Sequence, residues 1–211
     1  MTARTLLLGD WNRVVRDPLD VARIAYWTGA VVWIAQGGAG AGNLVVGSAA
    51  LLVARIADLP RIYDLAFLLA MVLTGWGEAF GLYDLLPWYD NVVHFLVPMM
   101  TSQVAYLALA RAEVLPDLRD PHEGVRRDLG IFVVTFALGM AIGGLWEVYE
   151  WSSDRWLGTD LSMDNDDTVT DLVADGSGAL VGGGLLVLWN VKGWGSVRRI
   201  PGVNTHEDVS A

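Results

Sequence analysis

"GIFVVTFALGMAIGGLWEVYEWSSD", residues 130–154, is an apolar run that closes on Glu147 and Glu150. Crossing the hydrocarbon core of a bilayer takes about 20 predominantly apolar residues in a helix, and residues 129–146 carry no charge at all. The stretch therefore reads as a membrane helix. That reading decides the fold class and poses a question, because two carboxylates three residues apart sit in its last turns on one face.

Composition agrees with the reading. Of 211 residues, 54% are hydrophobic and only 18% charged, and mean hydropathy is +0.41, which places the chain in the membrane class. There is no cysteine. Disulfides, thiolate metal sites, iron–sulfur clusters and a cysteine nucleophile are thereby excluded, and the redox compartment is left open. The histidines are His94, His122 and His206. The N-terminal "MTARTLLLGDWNRVVRD" has too short an apolar run for a cleaved signal peptide, so insertion is expected to rely on the first membrane helix.

Six stretches of spanning or near-spanning length follow, roughly 21–36, 43–57, 62–82, 90–111, 129–151 and 168–191, the second being the shortest. "GGAGAG" (37–42), "DLP" (58–60), "YDLLPW" (83–88), 113–128 and 152–166 read as connectors. No tandem repeat or second domain is visible. The expectation is an all-α, polytopic membrane helix bundle: a single integral domain over 1–211, with residues 1–20 as a cytoplasmic segment and 192–211 as a polar, disordered cytoplasmic tail.

Charge placement gives an independent count. Thirteen of the fourteen basic residues fall in the N-terminal segment, the second and fourth connector regions and the tail; only Arg155 falls elsewhere. Under the positive-inside rule both termini are cytoplasmic, which requires an even number of spans, and six satisfies it. Twelve of the 24 acids then face outward with Arg155 alone. The net charge of −10 is thus a one-sided field that attracts cations and repels free anions, so no nucleic-acid partner is expected. The pattern predicts a multi-pass membrane protein with its acidic face outward.

The acids concentrate at the outer ends of three spans. Asp90 and His94, in "YDNVVHF", are four apart. Glu147 and Glu150 share a face of the fifth span. Asp167, Asp171 and Asp175, in "DTVTDLVADG", repeat every four residues and form one stripe. Asp90 can serve as an N-cap, and Asp167 and Asp171 suit the positive end of a helix dipole. Glu147, Glu150 and Asp175 have no such excuse. A carboxylate in a span costs up to roughly 2.5–3.5 kcal/mol at the centre, and without bases such groups must share protons or share a cation. The seven residues His94, Glu147, Glu150, Asp171, Asp90, Asp167 and Asp175 are therefore expected to bind a divalent metal cation. Hard oxygen donors favour magnesium, calcium or manganese, and direct coordination by His94 admits zinc or iron. "DNDDTVTDLVAD" lacks the central Gly of an EF-hand loop. "GMAIG" (139–143) and "GALVG" (178–182) are small-xxx-small patterns suited to close helix packing. Ten tryptophans, several of them at span ends, read as an interfacial belt.

From the third span onward, these motifs resemble the YjdF-like family of bacterial inner-membrane proteins, a group of unknown function. Tyr89, Asp90 and His94, then Glu147 and Glu150, then Asp167, Thr168 and Asp171 look like that family's three motifs, although the loop "GTDLSMDNDD" departs from its pattern. A looser similarity is to VanZ-like membrane proteins.

Three functions fit the sequence. The first is a metal-dependent enzyme acting on a membrane lipid or lipid-linked substrate at the outer leaflet, with Glu147 or Glu150 as general base. The second is a cation transporter, for which Thr101, Ser102 and Gln103 in the fourth span and Asp64 in the third are the inner polar groups. The third is a non-catalytic subunit stapled by a structural metal. Substrate, metal identity, oligomeric state and partner proteins are not encoded in any motif.

Overall fold

The computed structural model describes residues 15, 17–57, 59–118, 124–159, 161 and 164–192. The expectations for the N-terminal segment before Val15 and for the tail after Lys192 lie outside these residues. The described chain is helical: α1 (Pro18–Ala35), α2 (Ala41–Ala57), α3 (Arg61–Met71, continuing through a π-helical turn at Val72–Trp76 to Gly77–Ala79), the single turn α4 (Leu82–Leu85), α5 (Tyr89–Arg111), α6 (Val125–Leu157) and α7 (Asn165–Val191).

Four helices are long and apolar enough to cross a membrane: Arg61–Ala79, Tyr89–Arg111, Val125–Leu157 and Asn165–Val191. The other two expected spans form helices as well. α1 has 18 residues and α2 is an apolar helix of 17. Valines and leucines such as Val31, Val45, Val133, Leu145 and Val173 are exposed around the perimeter, the pattern of a bundle whose solvent is as apolar as its interior. Two connector boundaries differ from expectation. α6 runs on through "SSDRWL" to Leu157 because nothing in that stretch breaks a helix, and it stops at Gly158, whose φ of 70° is the left-handed C-terminal conformation glycine adopts without penalty. Within "YDLLPW" the chain makes the α4 turn before Pro87.

α5, α6 and α7 pack together as the tightest unit, with α1–α3 gathered on the α3–α5 side. Glycine permits this closeness. A Cβ at Gly178 would collide with the backbone carbonyl of Phe95, and one at Gly182 would lie 2.7 Å from the Met99 carbonyl oxygen. Gly139 faces Ala179 in the same way, so both small-residue patterns lie at helix crossings. Gly178→Ala is expected to lower stability by about 1–3 kcal/mol, the usual cost of overpacking. Gly144→Ala, where a Cβ meets nothing within 4 Å, should be neutral or slightly stabilising through helix propensity. Thermal unfolding of the two variants in one detergent checks the contrast.

The basic end of the bundle is held by buried ions. Arg23 of α1, 1% exposed, bridges Asp20 on its own helix and Asp64 on α3, both of them buried. Asp17 caps α1 by accepting from Leu19 N–H at 3.0 Å and from Asp20 N–H, and it also lies 3.6 Å from Arg61. At the same end Arg111 is paired with Asp117, and Asn190 of α7 donates to Asp128 of α6.

Candidate functional site: a carboxylate–histidine cluster

At the opposite end, the start of α5, the last turns of α6 and the first turns of α7 converge. His94 stands at the centre and is 4% exposed. Its Nδ1 lies 3.2 Å from Asp175 Oδ1 and 3.8 Å from Glu147 Oε1; its Nε2 lies 3.4 Å from Asp90 Oδ1 and 3.9 Å from Asp171 Oδ2. Glu147, Glu150, Asp171 and Asp175 are all buried, and Asp90 is the most exposed of the set. No Lys or Arg pairs with any of these acids among the described residues. Local sequence explains the convergence. Asp90 and His94, and Asp171 and Asp175, are one helical turn apart. Gly143 lets α7 approach α6, since a Cβ there would strike the Asp175 carboxylate.

The cluster divides in two. Ligand atoms of Asp90, His94 and Asp171 all lie within 4.8 Å of one another, as do those of His94, Glu147 and Glu150. The two ring nitrogens of one imidazole point apart, so a single ion cannot take both. Ligands of one ion lie about 2–2.6 Å from it, and so about 3–4 Å from each other; the spacings on either face of His94 fit that edge length. The two faces differ in what they leave unsatisfied. Glu147 Oε1 and Asp175 Oδ2 are buried without a hydrogen-bond partner, and both belong to the Nδ1 side. Buried acceptors without partners are costly. Glu150 is oriented by the Trp146 indole, whose N–H donates to its Oε1 at 2.7 Å.

Asp167 sits apart from both groupings in the first turn of α7, where its N–H is capped by Asp164. The structure also brings up residues that sequence reasoning passes over. The Tyr83 hydroxyl, on the α4 turn, is buried without a hydrogen-bond partner beside Tyr89, Asp90, Glu150 and Glu78. Burial first, and these neighbours second, push the phenol well above its usual range, so it stays a neutral donor facing acids. The Tyr149 hydroxyl donates to buried Asn43 of α2 at 2.7 Å and ties α2 to the site. An aromatic residue in a connector carries no periodic signal that would single out Tyr83. The tryptophans divide likewise. Trp88, Trp151 and Trp156 are exposed as an interfacial belt requires, whereas Trp27 donates to the Ser48 carbonyl, Trp189 packs on Tyr63 and Trp76 packs among Tyr26, Trp33 and Phe80.

A bundle of apolar helices with exposed valine and leucine around its perimeter defines an integral membrane protein. The chain belongs to the family described as "Predicted membrane protein (DUF2238)", whose model matches residues 24–192. No curated protein and no solved structure matches it.

Proposed function

We propose that this protein is a six-span enzyme of the bacterial inner membrane, with both termini cytoplasmic, that uses a divalent cation at its outward carboxylate–histidine cluster to act on a lipid or lipid-linked substrate. The observation that carries this reading is the pair of buried oxygens, Glu147 Oε1 and Asp175 Oδ2, lacking a partner on the Nδ1 side of His94. A cation on that face would be held by Nδ1, Glu147 and Asp175, with Glu150 within reach. The opposite nitrogen then keeps its proton and donates towards Asp90, the familiar arrangement in which a carboxylate orients a ligating imidazole. When bound, the ion supplies Lewis acidity and lowers the pKa of water. Glu150, fixed by the Trp146 N–H, is placed to accept a proton from the attacking group. Oxygen-rich donors favour magnesium, calcium or manganese, and the imidazole admits zinc or iron.

The transport reading gains less support. The Thr101 hydroxyl and the Gln103 amide N–H donate back to carbonyls of their own helix, and Asp64 is ion-paired with Arg23. Ser102 Oγ and Gln103 Oε1, buried without a hydrogen-bond partner, carry no charge to balance a cation.

Elemental analysis of protein purified without chelator is the direct test. A stoichiometric divalent metal is expected, lost in Glu147→Gln and Asp175→Asn and kept in Asp84→Asn, whose carboxylate lies outside the cluster. Protein that holds no divalent ion, even after exposure to each of the five, overturns the proposal. For the topology, a C-terminal reporter that works only in the cytoplasm is expected; activity of a fusion that works only outside it would refute the sidedness.

A further inference from the structure

The Tyr83 hydroxyl is buried and finds no hydrogen-bond partner. Its place is set by the backbone. The α4 turn follows α3 through Gly81, whose φ is 67°, and is closed by Leu85 N–H on the Gly81 carbonyl and Leu86 N–H on the Leu82 carbonyl, each at 3.0 Å. Tyr89 N–H then donates to the Leu86 carbonyl at 2.8 Å and joins the turn to α5. The Tyr83 ring packs edge-on against Tyr89, with centroids 5.0 Å apart. The Tyr89 hydroxyl is already committed to the Leu73 carbonyl, so of these two phenols only that of Tyr83 is left to bind something else. Around it stand Asp90, Glu150 and Glu78, all acceptors and none within hydrogen-bond reach.

A buried tyrosine hydroxyl ordinarily has a partner, and leaving one without is costly. The gap between a phenol donor and carboxylates admits few kinds of atom. A phosphate would meet one donor against several negative charges and be repelled. An ammonium has no acceptor and would leave the phenol unpaired. A hydroxyl oxygen suits both sides, accepting from Tyr83 and donating its own hydrogen to a carboxylate. Access agrees with this. The Asp90 side chain is 25% exposed, against 9% or less for Glu147, Asp171 and Asp175, so a ligand reaches the cluster on the Asp90 side, where Tyr83 stands. We propose that Tyr83 is a ligand-binding residue whose O–H donates to a hydroxyl oxygen of the molecule the cluster acts on, that hydroxyl donating in turn to Glu150 or Asp90. This rests on the reading of the cluster as a reaction site and narrows its substrate to a neutral, hydroxyl-bearing group, supplied either by a free polyol or by the head group of a lipid.

The test uses the full-length protein in detergent, with 3-fluorotyrosine incorporated at position 83 alone, and two probes: glycerol as a free polyol and a monoacylglycerol as a lipid head group. A saturable shift of the fluorine resonance is expected with at least one of them. A response to the monoacylglycerol alone assigns the hydroxyl to a lipid, and a response to glycerol alone to a free polyol. The O-methylated form of the responding probe, which accepts but cannot donate to a carboxylate, should leave the resonance in place. Tyr83→Phe should weaken binding of that probe roughly 3- to 10-fold by isothermal titration, the worth of one neutral hydrogen bond. Without probe, Tyr83→Phe should melt at or above the wild-type temperature, because the hydroxyl has no partner to lose. A lower probe-free melting temperature would make the hydroxyl a structural bond and overturn the proposal. So would equal probe binding by Tyr83→Phe, or a resonance that neither probe moves, which leaves the hydroxyl to water alone. The metal content of the same samples separates the two readings: probe binding in protein without bound metal sinks the cation site and spares Tyr83, and metal retained while both probes fail does the opposite.

Discussion

Chelation is expected to lower the melting temperature of the detergent-solubilised protein by roughly 5–10 °C, since an ion held at 100 times its Kd contributes about 2.7 kcal/mol and each kcal/mol moves a chain of this size by about 2–4 °C. The sign follows from where the charges sit. Glu147, Asp171 and Asp175 are buried around a single imidazole, His94, with no Lys or Arg paired to them among the described residues, so three anionic forms together call for a further cation, which binds the folded state and not the unfolded one. Restoring the fitting divalent ion should restore the transition. Glu147→Gln removes one charge and one ligand with little change in volume, so the variant should fold yet respond weakly to both chelator and metal. A melting curve that chelator leaves unchanged, in protein shown to have lost its metal, would mean that the acids share protons instead.

The second large effect lies at the other end of the bundle. Arg23→Met is expected to destabilise the protein by about 3–5 kcal/mol, the cost of stranding the buried partners of a removed ion. Here the partners that lose Arg23 are Asp20 and Asp64, 3% and 0% exposed. Combining Arg23→Met with Asp20→Asn and Asp64→Asn should recover much of the loss, because burying an ion network offsets little more than its own desolvation. Thermal unfolding reads both variants. Equal stability of Arg23→Met and wild type would show that water or another group satisfies the two carboxylates in place of Arg23. The chelator response should survive in every variant that folds, since the two ends share no residue.

These two ends are unequally legible in sequence. Apolar runs without charge mark α5, α6 and α7 plainly, because hydrocarbon solvent demands an unbroken helix with its backbone satisfied internally. Carboxylates inside such runs stand out for the same reason, so Glu147, Glu150, Asp171 and Asp175 can be gathered from the residue pattern alone. Which face of His94 each one meets cannot, since helix rotation depends on packing at Gly143 and Gly178. Nor does the pattern reveal the Arg23–Asp64 pair. Its members are 41 positions apart, and in a tally by connector each counts as a separate solvated charge. Tyr83 and Asn43 stay invisible because a single polar group gains meaning only from its neighbours. The interhelical tryptophans pass for belt residues because span-end position alone does not distinguish an indole facing lipid from one turned inward.

The π-turn in α3 has a consequence for how these two ends coexist. A π-turn accommodates one residue more than the α-helix around it, and each residue advances a helix by about 100°. The segment Arg61–Met71 and the segment Gly77–Ala79 therefore present faces that no uninterrupted α-helix could align with both of their partners. The first segment aims Asp64 at Arg23; the other seats Gly77 under Tyr89, whose hydroxyl donates to the Leu73 carbonyl within the turn at 2.9 Å. In mechanical terms the turn is a phase slip. It lets one rod serve two unrelated registers, so that residues at the basic end can vary without rotating Gly77 away from Tyr89 at the other. Deleting a single residue between Val72 and Trp76 would remove that freedom, forcing the helix to keep one alignment and surrender the other.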